Sequence, residues 1–541
     1  MSESILFTGG TIWRGKGLPE ASDLLIREGA VAAFDAEARA QGASRVIDLA
    51  GRFLMPSFGE GHAHPIFGGL EWAGPQITEV DSVAGIVEAV REYAAQHPDQ
   101  AWILGASYNG SLVEEGLFQA RWLDEAVPDR PVVLRAWDYH TLWCNSKALE
   151  LAGITAETPE PELGQIPRDA DGAPLGVLRE WGAVDLMQRV NPGHDFEQRV
   201  AALAAASAHL ASLGIGWVQD AWVQPEDVEV YLAAAERGLL KNRFNLALLA
   251  DPREFPGSLP RLLDSRRRVE QAGHELLTAH SVKFFVDGVV ENQTGALLEP
   301  YCSTLHDHGL YIWQAEPLAQ AVGAVDAAGF QAHLHAIGDG AVRRALDAIE
   351  AAARANGPST HRPVIAHVQL ADGVDLQRFA KLGVIPVMQP LWAQLDDLMT
   401  VLTVPRLGAE RAARQYQLHT LQSSGAPLAF GSDWPCSEAN PLAGIAVAVG
   451  RMTAQGYPEG GWVPEQRLDA ETALAAYTAG VAHQAFADRL AAPWGVLEPG
   501  ASADLVVLER DPRQVPLSEL ADVQVVATYL AGLPSFSRWE A

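Results

Sequence analysis

The chain has few cysteines and few basic residues for its length. Among 541 residues only three are cysteines, and Cys144, Cys302 and Cys436 are far apart and follow no spacing pattern. Their scarcity favours unpaired thiols in a reducing compartment over a disulfide framework. Lysine and arginine together number 39 against 68 aspartates and glutamates, so the formal net charge is −29. Such an acidic surface disfavours nucleic acids and anionic membranes as partners.

Long apolar runs are also missing. No stretch contains the roughly 20 consecutive apolar residues that cross a bilayer. The opening residues, MSESILFTGG, lack the basic start and apolar core of a secretory signal. With 48% hydrophobic and 8% aromatic residues, the composition is typical of a folded chain. We therefore expect a cytoplasmic protein that acts on a small molecule, and a homodimer stays open as its assembly.

A His-x-His pair ends an apolar run at residues 55–64. If this run is a strand, its side chains alternate between two faces, so His62 and His64 point the same way. Two imidazoles on one face can bind one metal ion. The same pair also occurs by chance or as hydrogen-bonded core histidines, so it needs supporting evidence from the rest of the chain.

Four later segments repeat this design, a short apolar run with a metal-capable side chain. They lie at residues 281–288, 330–335, 363–367 and 428–433, and the side chains are Lys283, His335, His367 and Asp433. Three further strand candidates lie at residues 214–220, 244–250 and 384–389. Reactive groups collect at the C-terminal strand ends of a (β/α)8 barrel. The eight segments therefore predict an α/β fold, a TIM barrel with metal-capable groups on strands one, four, five, six and eight.

Both ends of the chain read as short strands with turns. Neither end has enough strands to bury both faces of a sheet by itself. We therefore expect residues 1–55 and 488–541 to form one small composite β-sandwich beside a barrel of residues 56–487. Its role is structural.

A large insertion of about residues 66–200 separates the first two barrel strands, and it is far longer than a normal βα connection. Because it leaves the end of a strand with candidate ligands, we expect it to form a lid or wall over the metal site. Tyr108, Trp137 and His140 are its predicted substrate contacts. The alternative is that these rings only pack the insertion.

Taken together, these segments resemble the amidohydrolase superfamily. His62-x-His64, Lys283, His335, His367 and Asp433 are similar, in order and in strand position, to its binuclear metal site. Residues 282–288, 335–339 and 430–435 are similar to the amidohydrolase-3 group, which includes N-substituted formamide deformylases. His140, followed by Asn145-Ser146-Lys147-Ala148-Leu149, also resembles an element of this family. The resemblance covers essentially the whole chain.

The resemblance implies a pair of divalent ions. It places His62, His64 and Asp433 on one ion and His335 and His367 on the other, with Lys283 between them. A lysine ammonium has no lone pair, so Lys283 as a ligand implies a carbamate formed with carbon dioxide. The alternative is an ordinary ion-paired lysine. Zinc suits this ligand set, and manganese, iron or nickel also fit.

Roles beyond metal binding follow for three side chains. The resemblance implies that Asp433 and Lys283 are catalytic, with Asp433 taking the proton of the attacking water and passing it to the leaving nitrogen. The alternatives are a helix cap for Asp433 and core positions for the ligand histidines. His333 lies two residues before His335, so on a regular strand it faces the same side. It either orients a ligand or contacts the substrate, and we include it among the predicted substrate contacts.

These residues favour metal-dependent hydrolysis of an amide. A metal-bound hydroxide supplies a strong nucleophile at neutral pH, and the metal polarises the carbonyl. We expect an amidohydrolase that cleaves a carbon-nitrogen bond other than a peptide bond, in an N-formyl or N-acyl derivative of a small hydrophobic amine. An isomerase or lyase using the same site, or a non-catalytic barrel that binds a small molecule, are the alternatives.

Three departures from the family pattern leave the substrate open. Residues 56–60 read Pro-Ser-Phe-Gly-Glu where Pro-Gly-x-x-Asp is common, and Ala366 stands where Glu often precedes the strand-six histidine. Residues 288–294 lack the usual Ser-Leu-Gly-Ser. No predicted ligand is lost, but all three segments flank the expected pocket.

Overall fold

Eight parallel strands form the central sheet of the computed structural model, which describes residues 4–302, 304, 306–358 and 360–539. Each pairs with the next in chain order: Phe58–Ala63, Ile215–Val223, Arg243–Leu249, Leu277–Phe285, Gln331–Ala336, Val364–His367, Ile385–Met388 and Ala429–Phe430. Just beyond the last strand, the N–H of Asp433 donates to the carbonyl oxygen of His62 at 2.7 Å, which brings the two ends of the sheet together. The predicted α/β class and TIM barrel are confirmed.

Helices cover the outside of the barrel between successive strands. They are Phe196–Ser212, Asp227–Glu236, Leu259–Ala272, Ala315–Ala327, Asp339–Asn356, Gly373–Leu382 and Leu418–Ser423, with Pro441–Gly450 after the last strand. The first of them begins at a capping box, in which the Asp195 carboxylate accepts the N–H of Gln198 and the Gln198 side chain accepts the N–H of Asp195. Its buried face, which includes Leu203 and Leu210, joins the barrel core.

The segment between the first two strands contains a sheet of its own. Its strands are Ile103–Tyr108, Val132–Ala136, Thr141–Cys144 and Val177–Arg179, and its helices are Pro65–Glu71, Val83–Gln96, Ala120–Asp124, Ser146–Ala152 and Glu180–Gln188. Asn145 caps the helix Ser146–Ala152, because its side chain accepts the N–H of Ala148 at 2.9 Å. Tyr108, Phe118 and Trp143 pack in the core of this segment.

The two chain ends meet in a pair of sheets. One consists of Ala30–Phe34, Leu24–Arg27, Ser4–Thr8 and Arg45–Asp48, and the other of Thr11–Ile12, Phe53–Pro56, Leu505–Leu508, Val525–Leu530 and Leu533–Ser537. Phe7, Leu54 and Leu505 belong to one buried cluster that joins both sheets. An ion pair between Arg243 and Asp504 ties the second sheet to the barrel, so Asp504 has a structural role. Residues 1–3 and 540–541 lie outside the described residues. They are the ends of the predicted sandwich, and residues 1–3 also begin the stretch compared with a signal peptide.

The remaining helices are short. They are Asp35–Gln41, Val404–Leu407, Ala409–Ala412, Ala470–Ala475 and Val481–Gln484, with π-helical turns at Met399–Thr403 and Ala476–Gly480. Of the helices in the described part of the chain, none combines the length and the apolar character that crossing a membrane requires.

Candidate metal centre

The six predicted ligands lie together at the C-terminal end of the barrel. Their side chains are buried and line one cavity of about 580 Å³: His62, His64, Lys283, His335, His367 and Asp433. Their position follows from the fold, since parallel strands bring their carboxyl ends to the same edge. Residues 371 positions apart in the chain thereby become neighbours (433 − 62 = 371).

The side chains on strands one, six and eight are closest together. Asp433 Oδ1 is 2.9 Å from His64 Nε2 and 3.4 Å from His62 Nε2. The ligand atoms of His62, His367 and Asp433 all lie within 4.8 Å of one another. The His367 ring lies between the rings of His62 and His335, with ring centroids 4.7 and 4.5 Å away, so the expected division, which placed His367 with His335, stays a prediction.

His335 lies to one side of this group. Its Nε2 is 3.2 Å from the carbonyl oxygen of Gly288 and 3.6 Å from Asp287 Oδ1. The Asp287 carboxyl group accepts the backbone N–H groups of Ala296, Ile337 and Gly338 at 2.8 to 3.0 Å. Burial raises the pKa of Asp287 to about 8. Asp287 therefore holds the loops after strands four and five around His335.

The protonation states suit a divalent cation. Burial and the neighbouring Lys283 lower the pKa of His62 well below its usual value, and burial lowers that of His367 to about 3, so both imidazoles are neutral and keep a lone pair. Burial raises the pKa of Asp433, but the contact with His64 and the nearby His367 and Lys283 outweigh it, and the net pKa is lowered. Within the described residues, His64 Nδ1 is buried without a hydrogen-bond partner. Neutral imidazoles and an ionised carboxylate form a donor set for zinc or a similar ion.

Two candidate ligands have unusual backbone conformations. The φ angle is 75° at His367 and 60° at Asp433, in the left-handed region that non-glycine residues seldom adopt. Such conformations persist only where the surroundings hold them, and they cluster at active sites. At Asp433 two hydrogen bonds provide this restraint. The Asp433 N–H donates to the carbonyl oxygen of His62, and the Asp433 carbonyl oxygen accepts the Cys436 N–H at 2.8 Å.

Hydrogen bonds behind the ligands orient their rings. His333 Nε2 lies 2.8 Å from His62 Nδ1, and Gln389 Oε1 lies 2.9 Å from His367 Nδ1. Each bond occupies Nδ1 and leaves Nε2 free for an ion. His333 is fully buried and does not line the cavity, and its position behind His62 suits the other role considered for it, orienting a ligand.

Comparison with known proteins agrees with this geometry. Residues 45–536 match the Amidohydro_3 model of the amidohydrolase family. The chain belongs to the amidohydrolase family. It is 31% identical to the protein LONG AFTER FAR-RED 3 of Arabidopsis thaliana, over 98% of this chain and 91% of that one. It is 28% identical to an N-substituted formamide deformylase of Arthrobacter pascens, over 96% and 95% of the two chains.

A solved structure supports the same identification. An uncharacterized metal-dependent hydrolase from Pyrococcus furiosus superposes with a TM-score of 0.71 at 26% identity, over 94% of this chain and 100% of that one. The predicted family is confirmed, and the protein is a metal-dependent hydrolase.

The cavity of this amidohydrolase extends into the insertion. Tyr108, Trp137 and His140 all line it, as three of the four predicted substrate contacts. The Tyr108 hydroxyl is buried and has no hydrogen-bond partner in the described structure. His140 Nδ1 lies 2.8 Å from Glu180 Oε2. Burial lowers the pKa of His140, but Glu180 more than compensates and the result is about 9.

Several residues around the site were not assigned a role from the sequence. Glu180 had no role because the residue that it binds is 40 positions away. Gln389 is the last residue of a strand candidate, and it received no role because an amide is not a usual metal ligand. His209 also lines the cavity, against Trp72 and Trp434, with ring centroids 5.4 and 5.5 Å away.

Glu60 is one of the departures from the family pattern, and its longer side chain reaches across the barrel closure. Oε1 accepts the N–H groups of His62 and Ser432 at 3.0 and 2.8 Å, and Oε2 accepts the Ser432 hydroxyl at 2.8 Å. Burial raises the pKa of Glu60 to about 8. Glu60 therefore couples the strand of His62 to the strand that precedes Asp433.

Proposed function

We propose that this amidohydrolase cleaves a carbon-nitrogen bond other than a peptide bond, in an N-formyl or N-acyl derivative of a small hydrophobic amine. The observation that carries the proposal is the position of the buried ligand set at the floor of a cavity with aromatic walls. These walls include Trp72, Trp137, Trp222, Phe285, Trp392 and Trp434. Apolar walls with a few polar groups are the usual form of a small-molecule site. The likeness to an N-substituted formamide deformylase supports the bond class.

We propose that two divalent ions, zinc in the first instance, bind between these side chains. His62, His64, His367 and Asp433 face one another and His335 lies beside them, so a second ion would lie toward His335. Ions bound there supply Lewis-acid polarisation of the carbonyl and lower the pKa of a bound water from about 15.7 toward about 7.

Lys283 is suited to carbamate formation. Its Nζ is buried 3.3 Å from His62 Nε2, and burial lowers its pKa to about 7. Much of the lysine is therefore the neutral amine at neutral pH, and its nitrogen lone pair can attack carbon dioxide. The N–C bond forms, one proton leaves the nitrogen, and the carbamate carries one negative charge. That anion has oxygen lone pairs, which a lysine ammonium lacks.

Asp433 is the proton carrier of the proposed reaction. Its lowered pKa keeps the carboxylate ionised, and Oδ1 lies 2.9 Å from His64 Nε2 and 3.4 Å from His62 Nε2, among the proposed metal ligands. It accepts a proton from the attacking water and passes it to the nitrogen that leaves. Water and amide thus become a carboxylic acid and an amine. His140, held through Nδ1 by Glu180, has its Nε2 available to orient the amide.

The test is a hydrolysis assay with a matched control. Metal-loaded protein is incubated with N-formyl and N-acyl aromatic amines in ¹⁸O-labelled water, and the released acid is analysed by mass spectrometry. One labelled oxygen in the acid supports hydrolysis. Asp433→Asn should lower kcat by at least about a thousandfold, as expected when a central acid-base group is lost. Asp372→Asn, at a helix N-cap where Asn serves as well as Asp, should leave activity unchanged.

The other outcomes point to the alternatives. Turnover without solvent oxygen in the product would replace hydrolysis with isomerase or lyase chemistry. No turnover by either the parent or Asp433→Asn, with retained ligand binding, would favour a binding barrel. We also propose a cytoplasmic location, which the three unpaired cysteines support.

A further inference from the structure

The cavity wall is rich in carboxyl groups and poor in cations. Besides the candidate ligand Asp433, six acidic side chains line it: Glu71, Glu79, Asp138, Glu291, Asp396 and Glu438. Within the described residues, Lys283 is the single lysine or arginine on this wall. Lys283 belongs to the metal centre at the floor, and the His140 imidazolium on the wall is paired with Glu180. An anionic group bound nearer the mouth would therefore meet Glu79 and Glu438 and no lysine or arginine of the described wall.

Neutral groups donate to two of the inner carboxyl groups. Asp138 Oδ2 accepts the Thr141 hydroxyl at 2.8 Å and the Asn292 amide at 2.9 Å. Glu71 Oε1 accepts the Tyr139 hydroxyl at 2.5 Å. These donors add no positive charge to the wall. The Arg406 guanidinium near Glu291 is not part of the cavity wall.

The mouth of the cavity combines carboxylates with aromatic rings. Glu79 and Glu438 are both exposed there, and burial together with the neighbouring Glu79 raises the pKa of Glu438. Trp72, 44% exposed, packs against Trp434 with ring centroids 5.7 Å apart. Exposed indole faces beside carboxylates attract cations and tolerate neutral aromatic groups.

Unpartnered donors deeper in the cavity point to a bound molecule. Tyr108 is 1% exposed, yet its hydroxyl has no partner within the described structure, and the same holds for the buried Nε1 of Trp222. Both residues line the cavity. A buried donor without an acceptor is costly, so these groups are suited to a ligand that brings hydrogen-bond acceptors into the cavity.

We propose that the substrate is an amide whose amine part is neutral or positively charged, and that Glu79 and Glu438 select against a carboxylate at that end. N-acyl amines would be accepted and N-acyl amino acids would be poor substrates. This inference rests on the proposed amide hydrolysis. It adds the charge class of the substrate, which the metal centre alone does not determine.

A series of matched substrates tests the proposal. N-formylbenzylamines with a para methyl, aminomethyl or carboxylate group differ mainly in the charge at the far end. We expect kcat/KM for the carboxylate to be at least about tenfold below that of the methyl compound, which corresponds to about 1.4 kcal/mol. The aminomethyl compound should equal or exceed the methyl compound. Raising the salt concentration should reduce the differences in kcat/KM between these substrates, because salt screens the exposed charges.

Two double variants distinguish the effect of the two carboxylates at the cavity mouth from the effect of the protein's overall charge. Glu79→Gln with Glu438→Gln should bring the ratio of carboxylate to methyl kcat/KM close to one. The control, Glu459→Gln with Glu498→Gln, removes the same charge at exposed positions away from the cavity wall and should leave the ratio as in the parent. Equal cleavage of the carboxylate and methyl compounds by the parent would overturn the inference, as would an unchanged ratio in the first variant.

A binding arm distinguishes failure of this inference from failure of the proposed function. Metal-loaded protein is titrated with benzyltrimethylammonium and with toluenesulfonate, using tryptophan fluorescence. If no formamide is cleaved but benzyltrimethylammonium binds at least about tenfold more tightly than toluenesulfonate, the charge preference is supported and the proposed reaction is refuted. Equal affinity for the two probes, or binding of neither, overturns the charge preference.

Discussion

The Nδ1 atom of His140 lies 2.8 Å from Oε2 of Glu180, and this contact joins two parts of the insertion at the metal centre. Oε1 of the same carboxylate accepts the Thr294 hydroxyl at 2.5 Å, and Thr294 belongs to the loop after barrel strand four. The φ angle of Glu180 is 60°. The carboxylate therefore clamps the insertion to the loop whose Gly288 carbonyl lies beside His335.

The first prediction concerns this clamp. Glu180→Gln keeps the size of the side chain but removes its charge, so His140 should be held less firmly. We expect kcat for amide cleavage to fall by about tenfold to a hundredfold, in the range of other residues that orient a site, while metal content stays the same. Glu150→Gln, on an exposed face of the insertion, is the control and should have parental kinetics. Parental kinetics in Glu180→Gln would contradict the clamp.

The second prediction is a pH dependence of stability. The pKa of His140 in the folded protein is about 9, above its usual 6.5. The pair therefore stabilises the fold fully below pH 6.5 and loses that contribution as the pH rises through 9. The contribution is on the order of 3 kcal/mol. Urea unfolding at several pH values should show a stability gap between the parent and Glu180→Gln at pH 6 that shrinks by pH 9.5. A gap that does not change with pH would argue against an imidazolium at His140.

The third prediction concerns the close packing at Gly288. A Cβ atom there would overlap Glu180 Oε1 and Thr294 Oγ1. Gly288→Ala should therefore break the clamp, lower kcat as Glu180→Gln does, and destabilise the fold by about 1 to 3 kcal/mol. Gly323→Ala lies in a helix with open space around the new methyl group. It should be neutral or stabilise by up to about 1 kcal/mol. Thermal unfolding and steady-state kinetics of the two variants provide the measurement.

The fourth prediction concerns metal content. Protein grown with added bicarbonate should contain about two divalent ions per chain by elemental mass spectrometry, as expected for a carbamate-bridged pair. Lys283→Ala should lose most of this metal, because the carbamate proposed to hold the ions could no longer form. Lys147→Ala, at a partly exposed lysine of the insertion, should keep it. One ion in both the parent and Lys283→Ala would mean a mononuclear site with an ordinary lysine, and no ion in either would refute the metal mechanism.

The fifth prediction concerns the barrel closure. Glu60→Asp shortens the side chain by one methylene, so its bonds to Ser432 and His62 are weakened or lost. We expect a loss of about 1 to 3 kcal/mol in the free energy of unfolding, as for other buried hydrogen-bond networks. Because the pKa of Glu60 is raised to about 8, the group is mostly neutral at pH 7, and Glu60→Gln should cost less than Glu60→Asp. A larger loss in Glu60→Gln would indicate an ionised carboxylate. Urea denaturation of both variants decides the order.

Much of the barrel was predictable because its determinants are local. Alternation along one strand places His62 and His64 on the same face, and short apolar runs mark the strands that end near His335 and His367. These features depend on a few consecutive residues and on the geometry of a strand. The order of the strands and the shared edge for the ligands then follow from parallel pairing.

The contacts around the ligands were not predictable in the same way. His140 and Glu180 are 40 residues apart, and Glu60 and Ser432 are 372 apart. No periodicity links such residues, and each side chain also had an ordinary local interpretation. The grouping of His367 with His62 and Asp433 likewise joins side chains from strands that are far apart in the chain.

The sequence by itself determined the barrel, the set of candidate ligands and the family, because strand patterns and ligand types can be recognised from a few consecutive residues. Only the tertiary structure decided which ligands face one another, which neighbours hold them, and that the wall above them is acidic and aromatic. The physical reason is that pKa values, hydrogen-bond partners and the charge of a cavity arise from groups that folding brings together from distant parts of the chain.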